Sequence, residues 1–201
     1  MFKRMRTIRF YMVVCLMGLS HWVFALGEYE NNGCFIGGSE NADVTIEEFA
    51  DFECIYCAKG SQMMEQVLKE YGEKVKVVFR NRPLSSHRIA LPAAKAMGAV
   101  CMQGSELAHT FQQEIFQNQE KLKKEGENFL FVTAEKIGVN VEQMKGDMNS
   151  QAVSDAIAQD QKRADELKIT GTPGFKVGTE VLVGSRPFEE FKQVIDRQLH
   201  K

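Results

Sequence analysis

Apolar residues along this chain fall either into short β-branched runs or into stripes at helical spacing. Val44-Thr-Ile46-Glu-Glu-Phe49-Ala-Asp-Phe52 reads as a strand from its β-branched and aromatic content. Met64, Val67, Leu68 and Tyr71 then share one helix face, so a helix should start at Cys54 and Cys57 and stop at Gly72. Lys74-Val75-Lys-Val77-Val78-Phe79-Arg80 is a second strand, closed by Pro83. The unit is β-α-β, with two cysteines at the strand-to-helix turn.

From there to about Leu167 the pattern is helical. Pro92 to Gln103 is rich in alanine and glycine, and Leu107, Phe111 and Ile115 make the next stripe behind a Ser105 cap. Shorter pieces follow at 129–137 and at 141–148, the latter capped by Asn140, and a polar-faced helix spans 152–167. Thr170-Gly-Thr172-Pro173-Gly breaks the pattern. Phe175–Val177 and Val181–Val183 then read as a hairpin around Gly178-Thr179, and Pro187 opens a last helix with Phe188, Phe191, Ile195 and Leu199 on one face. Residues 26–41 are polar and glycine-rich and read as a leader without a core of its own.

The N-terminus changes the picture of where the protein works. Lys3, Arg4, Arg6 and Arg9 precede an apolar stretch from Phe10 to Leu19, and Val23 and Ala25 stand where small residues precede a signal-peptidase cut. The alternative is an uncleaved anchor, but Phe10 to Leu26 contains Ser20 and His21 and, at 17 residues, falls short of the roughly 20 apolar residues a span prefers. Export with cleavage near Ala25 is therefore expected, to the periplasm. Removal of residues 1–25 leaves 21 basic and 27 acidic residues, a net charge of −6. Such an acidic chain is a poor partner for nucleic acid or anionic lipid. The Arg80-Asn-Arg82 cluster reads as a strand end with a solvated rim.

Of five cysteines, Cys15 leaves with the signal segment, and Cys34, Cys54, Cys57 and Cys101 remain. An even set in an oxidising compartment suits disulfides but does not fix their pairing. Metal is disfavoured, because structural zinc takes four ligands, usually as two short-spaced pairs, and only Cys54 and Cys57 form one. His87, His109 and His200 are scattered. Inert core thiols also fit poorly beside polar Glu53 and Lys59. A helix N-terminus offers free N–H groups and the positive end of the helix dipole, both favouring an anion. Cys54 is thus expected to be an exposed thiolate at neutral pH, with Cys57 shielded nearly one turn further in. That is the asymmetry of a dithiol exchanger.

The whole pattern resembles the thioredoxin superfamily and, within it, the exported DsbA-like thiol–disulfide oxidoreductases. The residues that carry the resemblance are Val44-Thr-Ile-Glu-Glu48-Phe with Asp51-Phe-Glu-Cys54-Ile-Tyr-Cys57, then Phe79-Arg-Asn-Arg-Pro83-Leu with His87, and Gly171-Thr172-Pro173-Gly-Phe. It runs from about Asp43 to Leu199. The fold it implies is an α/β thioredoxin fold (β-α-β…β-β-α) at 43–83 and 168–201, after a signal peptide at 1–25 and a leader at 26–42, with a helical insertion at 84–167. It implies Cys54 as nucleophile, Cys57 as resolving thiol, and Pro173 as a cis proline facing the pair. Thr172 would offer backbone hydrogen bonds to an extended client. Glu48 matches the family's buried acid; Glu47 is the other candidate, since strand alternation puts only one of them on the core face. No metal or other cofactor is implied. The partners implied are unfolded or exported polypeptides and a membrane redox partner.

Two departures matter. Ile55-Tyr56 stands where strongly oxidising members carry Pro-His, and Glu53 beside Cys54 should raise its pKa, so a milder oxidant is expected. Too few residues precede the first strand for a dimerisation domain like that of the family's isomerases, which favours a monomer and an oxidase; a reductase, or a non-catalytic peptide-binding chaperone, is the rival. Cys34 and Cys101 form either a second disulfide or a loose thiol and a buried small residue. Met63, Met64, Met97 and Met102 read as core filler, and His87 as structural.

Overall fold

A computed structural model describes residues 33–200, so the expected signal segment and the leader up to residue 32 lie outside the described residues. The strands are β1 (Cys34–Gly38), β2 (Val44–Ala50), β3 (Val75–Asn81), β4 (Gly174–Val177) and β5 (Glu180–Val183). They form one sheet in the order β1-β3-β2-β4-β5, with β2 and β3 parallel and the other pairs antiparallel. Helix α1 (Ile55–Tyr71) is the crossover between β2 and β3, as a parallel pair requires. It stops at Gly72, whose φ of +51° favours glycine and whose N–H returns to the Leu68 carbonyl.

Six helices separate β3 from β4. They are α2 (Ala90–Cys101), α3 (Ser105–Gln117), α4 (Gln119–Glu125), α5 (Glu127–Lys136), α6 (Val141–Asp147) and α7 (Gln151–Glu166). Helix α8 (Phe188–Leu199) closes the chain. Asn140 caps α6 by accepting from the Gln143 N–H, as its position suggested. Ser105 is instead the first residue of α3, behind Gly104 with φ +133°, and makes no side-chain cap. Helix α4, Gln-Glu-Lys-Leu-Lys-Lys-Glu, has a single buried residue, Leu122, and so carries no periodicity to find.

The leader does contribute to the core. Residues 34–38 pair with β3 as an edge strand, with Cys34 and Ile36 buried. Cys34 is joined to Cys101, at the end of α2, by a disulfide. The second arrangement open to these cysteines, two separate thiols, is therefore not the one observed. The bridge fixes the sheet edge to the point where α2 gives way to α3.

Both faces of the sheet are covered, and this corrects two expectations. Glu47 and Glu48 point to opposite faces, yet only 5% of Glu47 and none of Glu48 is exposed. Glu48 faces α1 and α3, whereas Glu47 faces α7. There Glu47 meets Arg80 at 2.8 Å, Arg163 at 3.0 Å and Lys176 at 3.5 Å. Arg80 also reaches Asp160 at 3.0 Å, and Asp160 accepts the Asn81 N–H at 2.9 Å. Arg80 is thus no solvated rim but the centre of a buried ion network that fixes α7 to β2 and β3. On the other face Phe52 stacks on Phe116 at 4.8 Å, and Phe175 meets Phe191 edge-on at 4.8 Å. Met64 and Met97 are buried in the core.

Two outcomes test this frame. A non-reducing peptide map should link the Cys34 and Cys101 peptides, and opening that bridge should cost about 4 kcal/mol by the chain-entropy model for so long a loop. Separate free-thiol peptides would contradict it. The Glu47 network sets the acid limit. Burial pushes the Glu47 carboxyl up, but the Arg163 hydrogen bond and the charges of Arg80, Arg163 and Lys176 more than offset this and hold it below the usual range. Its contribution is complete above the unfolded value, about 4.3, and is lost as pH falls through the folded value. Arg80→Met should destabilise by about 3–5 kcal/mol at pH 7, with a smaller deficit at pH 3, measured by urea unfolding.

Candidate active site

Strand β2 ends at Ala50, and a short turn delivers the chain to α1. The Cys54 N–H bonds to the Asp51 carbonyl at 3.1 Å, and Cys54 takes the N-cap position with extended backbone angles. No side chain caps α1, so its first N–H groups are turned toward the Cys54 sulfur. Cys57 follows on the inner side of the first turn, with its N–H on the Cys54 carbonyl at 3.0 Å.

The asymmetry expected of the pair is present, though both thiols are more enclosed than the sequence suggested. Cys54 keeps 9% of its surface accessible and Cys57 none. Both are free thiols. A hydrogen bond from Cys57 is the largest influence on Cys54; together with Thr172 and the N–H groups of Tyr56 and Cys57, it outweighs burial and brings the thiol down to about 5. Burial pushes the Cys57 thiol far up, and its contact with Cys54 adds to this; the Asp51 N–H, 3.4 Å from Cys57 Sγ, opposes it only in part. At neutral pH one sulfur is therefore an anion and the other a protonated thiol. Glu53, expected to disfavour the Cys54 thiolate, has its carboxylate bound to the Ile89 N–H.

The loop before β4 closes the site from the far side. The Thr172–Pro173 peptide is cis, and the Cys54 thiol lies 3.5 Å from the Thr172 carbonyl oxygen. A shallow groove of about 430 Å³ runs alongside, lined by Tyr56, Lys59, Thr172, Gly184 and Ser185. Ile55 and Tyr56, the residues between the cysteines, are both exposed. Gly60 permits the close approach of α1 to this loop, since a Cβ there would sit 3.3 Å from Pro173 Cβ and 3.0 Å from Phe175 Cζ.

Glu48 lies beneath α1. Burial raises its carboxyl to about 8; the Gln112 hydrogen bond works in the other direction, and the nearby Glu65 charge adds to the rise. The site thus gathers Cys54, Cys57, Thr172, Pro173 and Glu48 from β2, α1 and the loop before β4.

The sequence reading missed the residues that hold this arrangement. Asp51 is buried, and its carboxylate accepts from the Glu53 N–H and the Leu84 N–H at 2.7 Å each and meets His87 Nδ1 at 3.0 Å. Gln119 Nε2 donates to the carbonyls of Phe52 and Cys54 at 2.8 and 2.9 Å. Asp51 and His87 were visible as residues of the matching segments; Gln119, in a short polar helix, offered no signal. Among the described residues no group of three or more His, Cys, Asp or Glu side chains could hold a metal ion.

The thioredoxin family model matches residues 30–197. The probable disulfide bond formation protein D of Bacillus cereus is 32% identical over 171 residues, covering 82% of this chain and 78% of that protein. Among solved structures, oxidised BdbD from Bacillus subtilis superposes with a TM-score of 0.73 at 21% identity, over 86% of this chain and 99% of that one. A thioredoxin-like oxidoreductase from Silicibacter pomeroyi gives a TM-score of 0.68 at 27% identity, over 82% and 91%. Matched by the family model over most of its length and 32% identical to a disulfide bond formation protein, the chain belongs to the thioredoxin family, as a protein disulfide oxidoreductase.

Proposed function

We propose that this protein is exported to the periplasm and exchanges disulfides with secreted polypeptides through the Cys54-Ile-Tyr-Cys57 pair. The observation that carries the reading is the contrast between the two sulfurs: a thiolate at the helix N-terminus beside the Thr172 carbonyl, and a buried neutral thiol one turn away. In the oxidising direction the pair starts as a disulfide. A client thiolate attacks Cys54 Sγ, forming a client–Cys54 disulfide and releasing the electron pair of the broken bond to Cys57. Cys57 leaves as a thiolate in a dry setting and must take up a proton. We assign this proton to Glu48, neutral up to about pH 8, which gives that buried acid its role. A second client thiolate then attacks the client sulfur, closes the client disulfide and releases Cys54, a good leaving group because its thiolate is stabilised.

Thr172 and Pro173 serve as the platform for the client. The Thr172 carbonyl lies beside the Cys54 sulfur, and the residue after it has no N–H, so an extended client strand aligns there through Thr172 alone. The pair is returned to its starting state by a membrane redox partner. The N-terminal basic and apolar segment supports export, and no helix among the described residues is long and apolar enough to cross a membrane.

Alkylation followed by mass spectrometry from pH 3 to 9 tests the assignment of the two sulfurs. Cys54 should be modified with a midpoint near pH 5, and Cys57 should resist modification across the range. A Cys54 midpoint near 8.5, the value of a free thiol, would contradict the account. Cys54→Ser should abolish oxidation of a reduced peptide. Retained suppression of client aggregation by an otherwise inactive wild-type protein would favour the chaperone reading instead.

A further inference from the structure

Glu48 has one occupied oxygen and one open one. Gln112, fully buried on α3, donates its Nε2–H to Glu48 Oε2 at 3.1 Å. Glu48 Oε1 and Gln112 Oε1 are both buried without a hydrogen-bond partner. Two orphan acceptors on one pair of buried side chains are costly, and a proton on Glu48 eases the cost by making its open oxygen a donor. The open oxygen faces the redox helix, for a Cβ placed on Gly60 would lie 3.3 Å from it. Gly60 is three residues beyond Cys57 and so neighbours it on the same helix face.

We propose that Gln112 is a positioning residue for disulfide exchange: by holding Oε2 it keeps the proton-bearing Oε1 turned toward the redox helix beside Cys57. This rests on the reading of Glu48 as the acid that serves Cys57. The helix that carries Gln112 is itself fixed against α1, since Gln113 Nε2 donates to Ser61 Oγ and Glu65 Oε1 at 3.0 Å each, and His109 meets Glu65 at 2.6 Å. The charged group of α1 that acts on Glu48 is Glu65, paired with His109 of α3, and Cys57 lies one turn before Gly60 on the same helix. The register neighbours of Glu48 on β3 and β4, Phe79 and Phe175, are apolar. Gln112 also donates to the charged form of Glu48 and so lowers the pH at which the carboxyl releases its proton. The glutamine thus does two things: it aims the acid and keeps its titration within reach of neutral pH.

The test is a single turnover of the reduced protein with oxidised glutathione. The Cys54 thiolate displaces one glutathione thiolate to give a mixed disulfide. Cys57, passing its proton to the Glu48 carboxylate, then displaces the second. The protein pair is oxidised and glutathione disulfide is reduced to two thiols. Rapid-quench mass spectrometry from pH 5 to 10 follows both steps in the wild type and in Gln112→Leu, Gln112→Met and Glu48→Gln. Two apolar replacements are used so that a folding failure in one leaves the other to be read. The expected result is a midpoint for the second step about one pH unit higher in both Gln112 variants, hence about tenfold slower below it, with the first step unchanged. If Glu48→Gln removes the midpoint while the Gln112 variants leave it in place, the role of Gln112 is overturned and that of Glu48 stands. If Glu48→Gln keeps the wild-type profile, the reading of Glu48 fails, and the role of Gln112 with it.

Discussion

A sulfur anion at the head of a helix costs a protein little, and the same anion one turn further in costs a great deal. The site depends on that difference. The free N–H groups of the first turn of α1 converge on Cys54, while Cys57 is sealed among apolar side chains and receives the Asp51 N–H alone among backbone donors. Bond breaking between the two sulfurs is therefore directional. On the proposed mechanism, charge accumulates on Cys54 without assistance, whereas Cys57 leaves or attacks together with the movement of a proton.

That constraint explains why so much of the fold presses on one short turn. The Asp51 carboxylate ties the turn to Leu84 and His87, Glu53 ties it to Ile89, and Gln119 holds two of its carbonyls. Most of these partners come from the segment after β3 and from the helices that follow it. The helical block covers the sheet, but it also clamps the turn on which the thiolate geometry rests. The Cys34–Cys101 bridge and the Arg80 network act further out, fixing α2 to the β1 edge and α7 to β2 and β3 of the same sheet.

Much of this was legible from residue patterns. The β-α-β start, the closing hairpin and the amphipathic α8 follow from short β-branched runs and from Phe188, Phe191, Ile195 and Leu199. Elements whose identity comes from tertiary partners were hidden. Strand β1 is five residues with two glycines, and it is a strand because β3 offers it an edge and Cys101 a bond. Glu47 and Arg80 look like solvent-facing charges until α7 covers them. The Cys54–Cys57 spacing pointed to the redox pair, while Gln112 and Gln119 looked like ordinary polar helix positions. Their roles come from what lies opposite them, and a single sequence does not encode that locally.

The first turn of α1 stabilises the Cys54 thiolate, which on our proposal makes the pair oxidising, though without the Pro-His dipeptide of the strongest oxidants. The most direct measurement is the Cys54–Cys57 reduction potential, by equilibration in glutathione buffers at pH 7. A value between those of thioredoxin, about −270 mV, and DsbA, about −120 mV, is expected. A value at or below that of thioredoxin would contradict it, for the thiolate would then supply no oxidising power and the protein would run as a reductase.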